Sequence, residues 1–199
     1  PMKKILLLVL VGGCLIPSHA QSDYYHLWEP SVQVGHQSLS LIAPDFSPIH
    51  PGVGVSILRR WNTHAQHQLI QRGTLDFFVH RDLQDALRLH TEVGYRYRST
   101  KGWQVTPLAL GGGYVLAFPN LATLERDNDG IYQEINTPTR QNWMLQVGAD
   151  VGYHFFDARE GKGLSVDLSY RIQVQGTFAN ETVPVIAYAP LWLRLSLPI

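Results

Sequence analysis

The sequence predicts an all-β chain: an eight-stranded, antiparallel, up-and-down transmembrane β-barrel with a polar interior filled by side chains. Three observations predict it. Apolar and polar residues alternate with a period of two along about eight stretches, and no stretch has a convincing helical period. The connectors between those stretches are alternately short and long. The polar rows mix both charge signs with small residues, as a lumen that neutralises itself requires.

The 199 residues are 45% hydrophobic, 16% charged and 11% aromatic, a balance that fits one folded domain and excludes a disordered chain. The start reads as an export signal over residues 1–20. Met2-Lys3-Lys4 is basic, "ILLLVLV" is a short apolar core, and "PSHA" places Ser18 and Ala20 where a signal peptidase reads small residues. The mature domain is then 21–199. "VGGC" at 11–14 resembles a lipobox at Cys14, but the cleavage site downstream is the better-formed signal. Cleavage there discards the chain's single cysteine, so the mature chain forms no disulfide. It also removes Lys3 and Lys4, taking Lys+Arg from 16 to 14 against 16 Asp+Glu, a formal net of −2. Nothing in that charge pattern points to a nucleic-acid partner, and no cofactor is expected.

The strand candidates, in order, are 31–42, 51–61, 67–81, 86–98, 102–116, 141–156, 163–175 and 189–198. In the first, the apolar phase slips between Val34 and Leu39, as a bulge would cause. In the third, Leu69, Gly73, Leu75, Phe77 and Val79 oppose Arg72, Thr74, Asp76 and His80. The fourth is the cleanest: Leu87, Leu89, Thr91, Val93, Tyr95 and Tyr97 oppose Arg88, His90, Glu92, Arg96 and Arg98, broken only by Gly94. In the sixth, Trp143, Leu145, Val147, Ala149, Val151, Tyr153 and Phe155 oppose Asn142, Gln146, Gly148, Asp150 and His154. In the seventh, Leu164, Val166, Leu168, Tyr170, Ile172 and Val174 oppose Ser165, Asp167, Ser169, Arg171 and Gln173.

The connectors orient the barrel. Those at 62–66, 99–101 and 157–162 are short; those at 43–50, 117–140 and 176–188 are longer and all follow odd-numbered strands. Outer-membrane barrels have short periplasmic turns and long external loops. Both termini are therefore expected in the periplasm and the 117–140 loop outside; the short "DLQD" at 82–85 is the exception.

The choice that remains is which face is wet. Aromatics gather near strand ends (Trp61, Phe77, Phe78, Tyr95, Tyr97, Trp103, Trp143, Tyr153, Phe155 and Phe156), as interfacial girdles do. Trp61, Phe77, Tyr95, Tyr97, Trp143, Tyr153, Phe155 and Tyr170 are the expected lipid-facing or girdle residues. The opposite face supplies the expected interior network of Arg72, Asp76, His80, Arg88, His90, Glu92, Arg96, Asp150, His154, Asp167, Arg171 and Arg194. The competing arrangement is a soluble periplasmic ligand-binding barrel or sandwich, with the aromatic rows as core. Lysine argues against it: beyond the signal only Lys101 and Lys162 are present, whereas soluble β proteins often guard exposed edges with lysine.

The stretches "HPGVGVSILRRW" (50–61), "HQLIQRGTLDFFVHR" (67–81), "LHTEVGYRYR" (89–98), "GGGYVLAFP" (111–119) and "RDNDGIYQ" (126–133) resemble those of small outer-membrane β-barrel proteins of Gram-negative, Bacteroidetes-type bacteria. The resemblance implies a scaffold and carries no activity with it. The ending "LWLRLSLPI" (191–199) alternates as an assembly-signal strand does, but closes on Ile199 instead of an aromatic residue.

Five patterns invite chemistry. His80, His90, Glu92, Asp150, His154 and Asp167 could supply a general acid and base, but a self-neutralising lumen uses the same residues. "HQS" at 36–38 resembles the pair of outer-membrane lipid A deacylases, which would make His36 the base and Ser38 the nucleophile; the flanking residues do not match that family. "ERDNDGIYQEIN" (125–136) fits a calcium loop at Asp127, Asp129 and Gly130, with Glu125 and Asn136 off-pattern, and a turn at Asp129-Gly130 explains the same letters. "HAQH" (64–67) lacks further zinc ligands, and the glycines of "LGGGY" (110–114) precede no helix that could cradle phosphate. The expectation is a non-enzymatic integral membrane protein with a structural or interaction role, touching outer-membrane lipid and a protein partner through 117–140, and not an open pore.

Overall fold

In a strand with one apolar row, that row must leave water, and a sheet closed on itself can send it either inward or outward. The computed structural model, which describes residues 28–39, 45–81, 83–120, 123–126, 132–135, 139–156, 163–176 and 185–197, sends it outward. Its strands are β1 (Trp28–Ser38), β2 (Pro51–Arg60), β3 (His67–Phe78), β4 (Gln84–Arg98), β5 (Trp103–Pro119), β6 (Thr123–Arg126), β7 (Tyr132–Ile135), β8 (Arg140–Phe156), β9 (Gly163–Gly176) and β10 (Val185–Ser196). Eight of them form a closed barrel in the order β1-β10-β9-β8-β5-β4-β3-β2, every pair antiparallel. Closure pairs β1 with β10, from Ser31 opposite Ser196 to Ser38 opposite Ala189. Barrel strands run from 10 residues in β2 to 17 in β5, enough for a tilted crossing of about 9–11.

The burial pattern is that of a soluble protein inverted. Leu89 is 61% exposed, and Val32, Val34, Leu110, Leu145 and Leu193 are also outward and open. Arg72, Arg88 and Arg96, on the opposite parity, are no more than 2% exposed. A soluble barrel with an aromatic core is therefore excluded: Leu87, Leu89, Val93, Tyr95 and Tyr97 face away from the lumen. The protein is a transmembrane β-barrel of outer-membrane architecture, because only closed barrels and helices leave no backbone group unpaired in lipid. Among the described residues no helix is long and apolar enough to cross a membrane.

Three features depart from the reading of the letters. The phase slip after Val34 is not a bulge, since β1 keeps one register with β10 through Ser38. It arises because His36, Gln37 and Ser38 are all buried where the Asp45–His50 segment folds back on the strand end. Bulges occur instead in β5: register shifts between Tyr95 and Tyr97 on one side and between Thr106 and Ala109 on the other, around Pro107 and Leu108. Proline lacks the ladder N–H, so a bulge is where a strand tolerates it. Phe78 is not a girdle residue; it is wholly buried on the inward parity of Asp76 and belongs to the lumen.

The two ends differ. At the short-turn end, Trp103 meets Tyr153 edge-on at 5.4 Å and Tyr153 meets Phe155 at 4.9 Å. His67 bonds the Tyr95 hydroxyl through Nδ1. The outward Arg59 lies over the Trp28 ring at 5.3 Å and the Trp61 ring at 4.6 Å, which places its charge among interfacial aromatics. At the other end the connector between β5 and β8 carries the β6–β7 hairpin, Thr123 opposite Ile135 through Arg126 opposite Tyr132, as a separate two-stranded sheet. Residues 1–27, where the export signal and Cys14 fall, lie outside the described residues.

Candidate functional site

The lumen holds the polar residues in three layers beneath an apolar plug. In the middle layer Glu92 accepts Arg171 Nε and Nη2, each at 2.9 Å, in a two-pronged pair. It also takes Arg72 Nη1 and, at 3.2 Å, Gln146 Nε2. Asp150 binds Arg171 Nη1 at 2.7 Å and Arg72 Nη1 at 3.3 Å, with Arg194 Nη1 at 3.7 Å. Four strands thus meet in one charge cluster: β3, β4, β8 and β9, joined by β10.

The layer toward the long-loop end centres on Asp76, which accepts Arg88 Nε at 2.6 Å and His90 Nε2 at 2.9 Å. Arg88 Nη1 donates to Gln37 and Gln173, and its guanidinium lies 4.6 Å from the Phe78 ring centre. His90 beside a carboxylate has the outline of an acid–base pair. Its Nδ1, however, accepts Gln146 Nε2 at 2.9 Å, so both ring nitrogens are engaged and no lone pair is left for a substrate.

Near the short-turn end Glu29 accepts Arg96 Nη1 at 2.8 Å and draws in Arg60 at 3.4 Å and Arg98 at 3.6 Å. Gln104 bridges Arg98 to Asp167, donating to Asp167 Oδ1 at 2.5 Å. His154 bonds Ser165 Oγ at 2.8 Å. The histidines and carboxylates that suggested chemistry are therefore spread over separate layers. His90, Glu92 and Asp150 are near one another; His154 and Asp167 are at the short-turn end, and His80 at the other, stacked on His50 with ring centres 3.4 Å apart.

The plug is Phe78, Ala86, Val115, Ala117, Met144 and Tyr188, all buried. Phe78 and Tyr188 meet at 5.7 Å, and Gln84 Nε2 donates to the Tyr188 hydroxyl at 3.0 Å. Of the lipid-facing set, Trp61, Phe77, Tyr95, Tyr97, Trp143 and Phe155 are exposed on the outer wall, and Tyr153 and Tyr170 are half-buried there.

The remaining motifs resolve into structure. Gly111 and Gly113 stand opposite Glu92 and His90 in the β4–β5 register. A Cβ on Gly113 would lie 2.2 Å from Leu89 O, so these glycines leave the room that the network's large side chains need. His64 Nδ1 accepts His67 N at 3.1 Å, a turn contact, and no metal-holding group of His, Cys, Asp or Glu occurs among the described residues. His36 and Ser38 share the outward parity of Val32 and Val34 but are covered. His36 Nε2 bonds Asp45 O at 2.5 Å, its Nδ1 accepts His50 N at 3.0 Å, and Ser38 Oγ accepts Asp45 N at 3.0 Å. Residues 127–131 and 136 of the calcium-like stretch lie outside the described residues.

No protein-family model matches the chain, and no curated protein matches it. Several solved structures are similar in form. The outer membrane enzyme PagL is 11% identical over 83% of this chain and 97% of its own, with a TM-score of 0.45. Ail, the attachment invasion locus protein of Yersinia pestis, is 14% identical over 85% and 97%, with a TM-score of 0.43. The outer membrane protein AlkL is 16% identical over 92% and 93%, with a TM-score of 0.35. At such identities no residue role passes from any of them to this chain.

Proposed function

We propose that the protein is a non-enzymatic outer-membrane barrel with a structural or protein-interaction role, and not an open pore. Residues 1–20 export it, residues 21–199 form the single barrel domain, both chain ends lie in the periplasm, and the 117–140 connector contacts a partner outside. The observation that carries the reading is the filled lumen: arginine–carboxylate layers along its length and an apolar plug at one end. A barrel of this strand number is just wide enough for its own side chains to fill. The interaction role is supported by the β6–β7 hairpin, whose two strands each leave an edge that a partner strand can extend.

Two experiments test it together. In planar bilayers the purified barrel should give no steady single-channel conductance; a defined open level would end the closed-barrel reading. Cells carrying the barrel without 121–138 should lose the protein that cross-links to the intact loop, and the purified partner should bind only the intact barrel. Retained binding would remove the loop from the account. The lipid-modifying alternative predicts instead that Ser38→Ala alters the cell's lipid A mass spectrum.

A further inference from the structure

The geometry points to a binding site for a small monovalent anion, of chloride size, inside the lumen between Arg72 on β3 and Arg194 on β10. Three guanidiniums of the middle layer, those of Arg72, Arg171 and Arg194, share two carboxylates, those of Glu92 and Asp150. All five side chains are buried. One positive charge is therefore left over, and an arginine cannot shed it by losing a proton. No neighbouring carboxylate makes up the difference. Asp76 is taken by Arg88 and His90. Asp167 stands opposite Arg194 in the ladder, but its Oδ1 lies over Gly152 on β8 and accepts Gln104 Nε2. Turning Asp167 toward Arg194 would only move the deficit, since Arg60, Arg96 and Arg98 already crowd Glu29.

The donors that hold the ion are in place. Arg171 engages all three nitrogens, Nε and Nη2 with Glu92 and Nη1 with Asp150. Arg72 engages only Nη1, with Glu92 and Asp150. Its Nε and Nη2, the two N–H groups of one guanidinium fork, are buried and have no acceptor. Arg194 gives Nε to Gln33 Oε1 at 3.2 Å, while its Nη1 is buried without an acceptor. That Nη1 stands 3.7 Å from Asp150 Oδ2, the oxygen that Arg72 Nη1 meets at 3.3 Å, so the two guanidiniums flank one point. Thr74, two residues past Arg72 on the same inward face, adds a buried hydroxyl without a partner. Short residues line the wall between the two arginines. Ser31 and Ser56 bond each other at 2.6 Å, Ser56 stands opposite Thr74, and Gly54 stands opposite Gln33.

Water could bond these N–H groups, but it does not cancel their charge. A buried guanidinium left uncompensated costs more than an unmade hydrogen bond does. The surplus is one charge, and every open group around it can donate. The ligand is therefore a single negative charge that only accepts. A barrel of eight strands is filled by its own side chains, which favours a monatomic ion over a phosphate or an organic acid.

The test is urea unfolding of the purified barrel in uncharged micelles, in mixtures of sodium chloride and sodium gluconate at constant ionic strength. An ion bound only by the folded barrel lowers the unfolding constant by up to about tenfold for each tenfold rise in chloride above its dissociation constant. Arg194→Met removes the surplus charge and one of the donors, and should abolish that dependence. Wild-type curves that coincide in chloride and gluconate, or a chloride dependence that Arg194→Met retains, overturn the proposal. Should Arg194→Met not fold, anomalous scattering from wild-type crystals grown in sodium bromide decides. A bromide peak within hydrogen-bond reach of Arg72 Nε and Thr74 Oγ1 is required, and water alone at that place refutes the site.

Discussion

Replacing Glu92 with glutamine should be among the most damaging single changes available in the lumen. Glu92 is 4% exposed and answers two arginines, Arg171 through both oxygens at 2.9 Å and Arg72 through one. The amide keeps the volume but removes the charge, leaving Arg72, Arg171 and Arg194 to share Asp150. Removing one partner from a buried ion pair costs about 3–5 kcal/mol, because the remaining charge is stranded. That is roughly two to four decades in the unfolding equilibrium. Urea unfolding in micelles, followed by tryptophan fluorescence, should show the midpoint falling with the slope unchanged. Replacing Glu92 with Met and Arg171 with Leu together should recover much of the loss, since an apolar pair of similar volume strands nothing. A loss under about 1 kcal/mol for Glu92→Gln, the scale of an exposed pair, would mean that water reaches the cluster and the filled-lumen reasoning is wrong.

Three further outcomes are expected. Leu89→Arg puts a charge on the outward face near the middle of β4 and should cost about 2–4 kcal/mol in bilayers, whereas a water-facing site would tolerate it. Gly113→Leu should abolish the heat-modifiable folded band on a gel, because even its Cβ would sit 2.2 Å from Leu89 O; a normal folded band contradicts the packing described. Gln71→Leu removes an outward amide whose Nε2 reaches Thr91 Oγ1 at 3.3 Å, and should change unfolding by less than about 1 kcal/mol; a larger loss would show that this polar pair stabilises the wall.

Strand parity is a property of one chain segment, which is why the eight barrel strands are legible as alternating letters. Partnership is a property of register and closure. Glu29 lies two residues ahead of the first candidate strand, yet gathers Arg60, Arg96 and Arg98 from β2 and β4. The plug is hidden for another reason: near strand ends both parities carry apolar letters, so Phe78 reads like Phe77 until parity is followed from Asp76. The apolar slip in β1 imitates a bulge although a folded-back loop produces it, while Pro107, inside a strand pattern, is the letter that marks the true bulge.

One register signal is nevertheless present in the letters. Gly111 and Gly113 are two apart, as are His90 and Glu92, and the barrel sets each glycine opposite one of the large residues. The steric reason is direct, since a Cβ on Gly111 would fall 2.5 Å from Thr91 O and 2.8 Å from the Glu92 Cβ. The same pairing recurs at Gly148 opposite Arg171 and Gly152 opposite Asp167. Large inward side chains do face each other where they pair, as Arg72 faces Glu92 and Asp76 faces Arg88, but at these four points the ladder gives the room to one strand only. Some inward glycines therefore stand opposite large polar residues of the neighbouring strand, while others, such as Gly52 opposite Phe78 and Gly94 opposite Ile70, do not. A spacing matched between a glycine row and a charged row restricts, in the letters alone, which residues can face each other across the ladder.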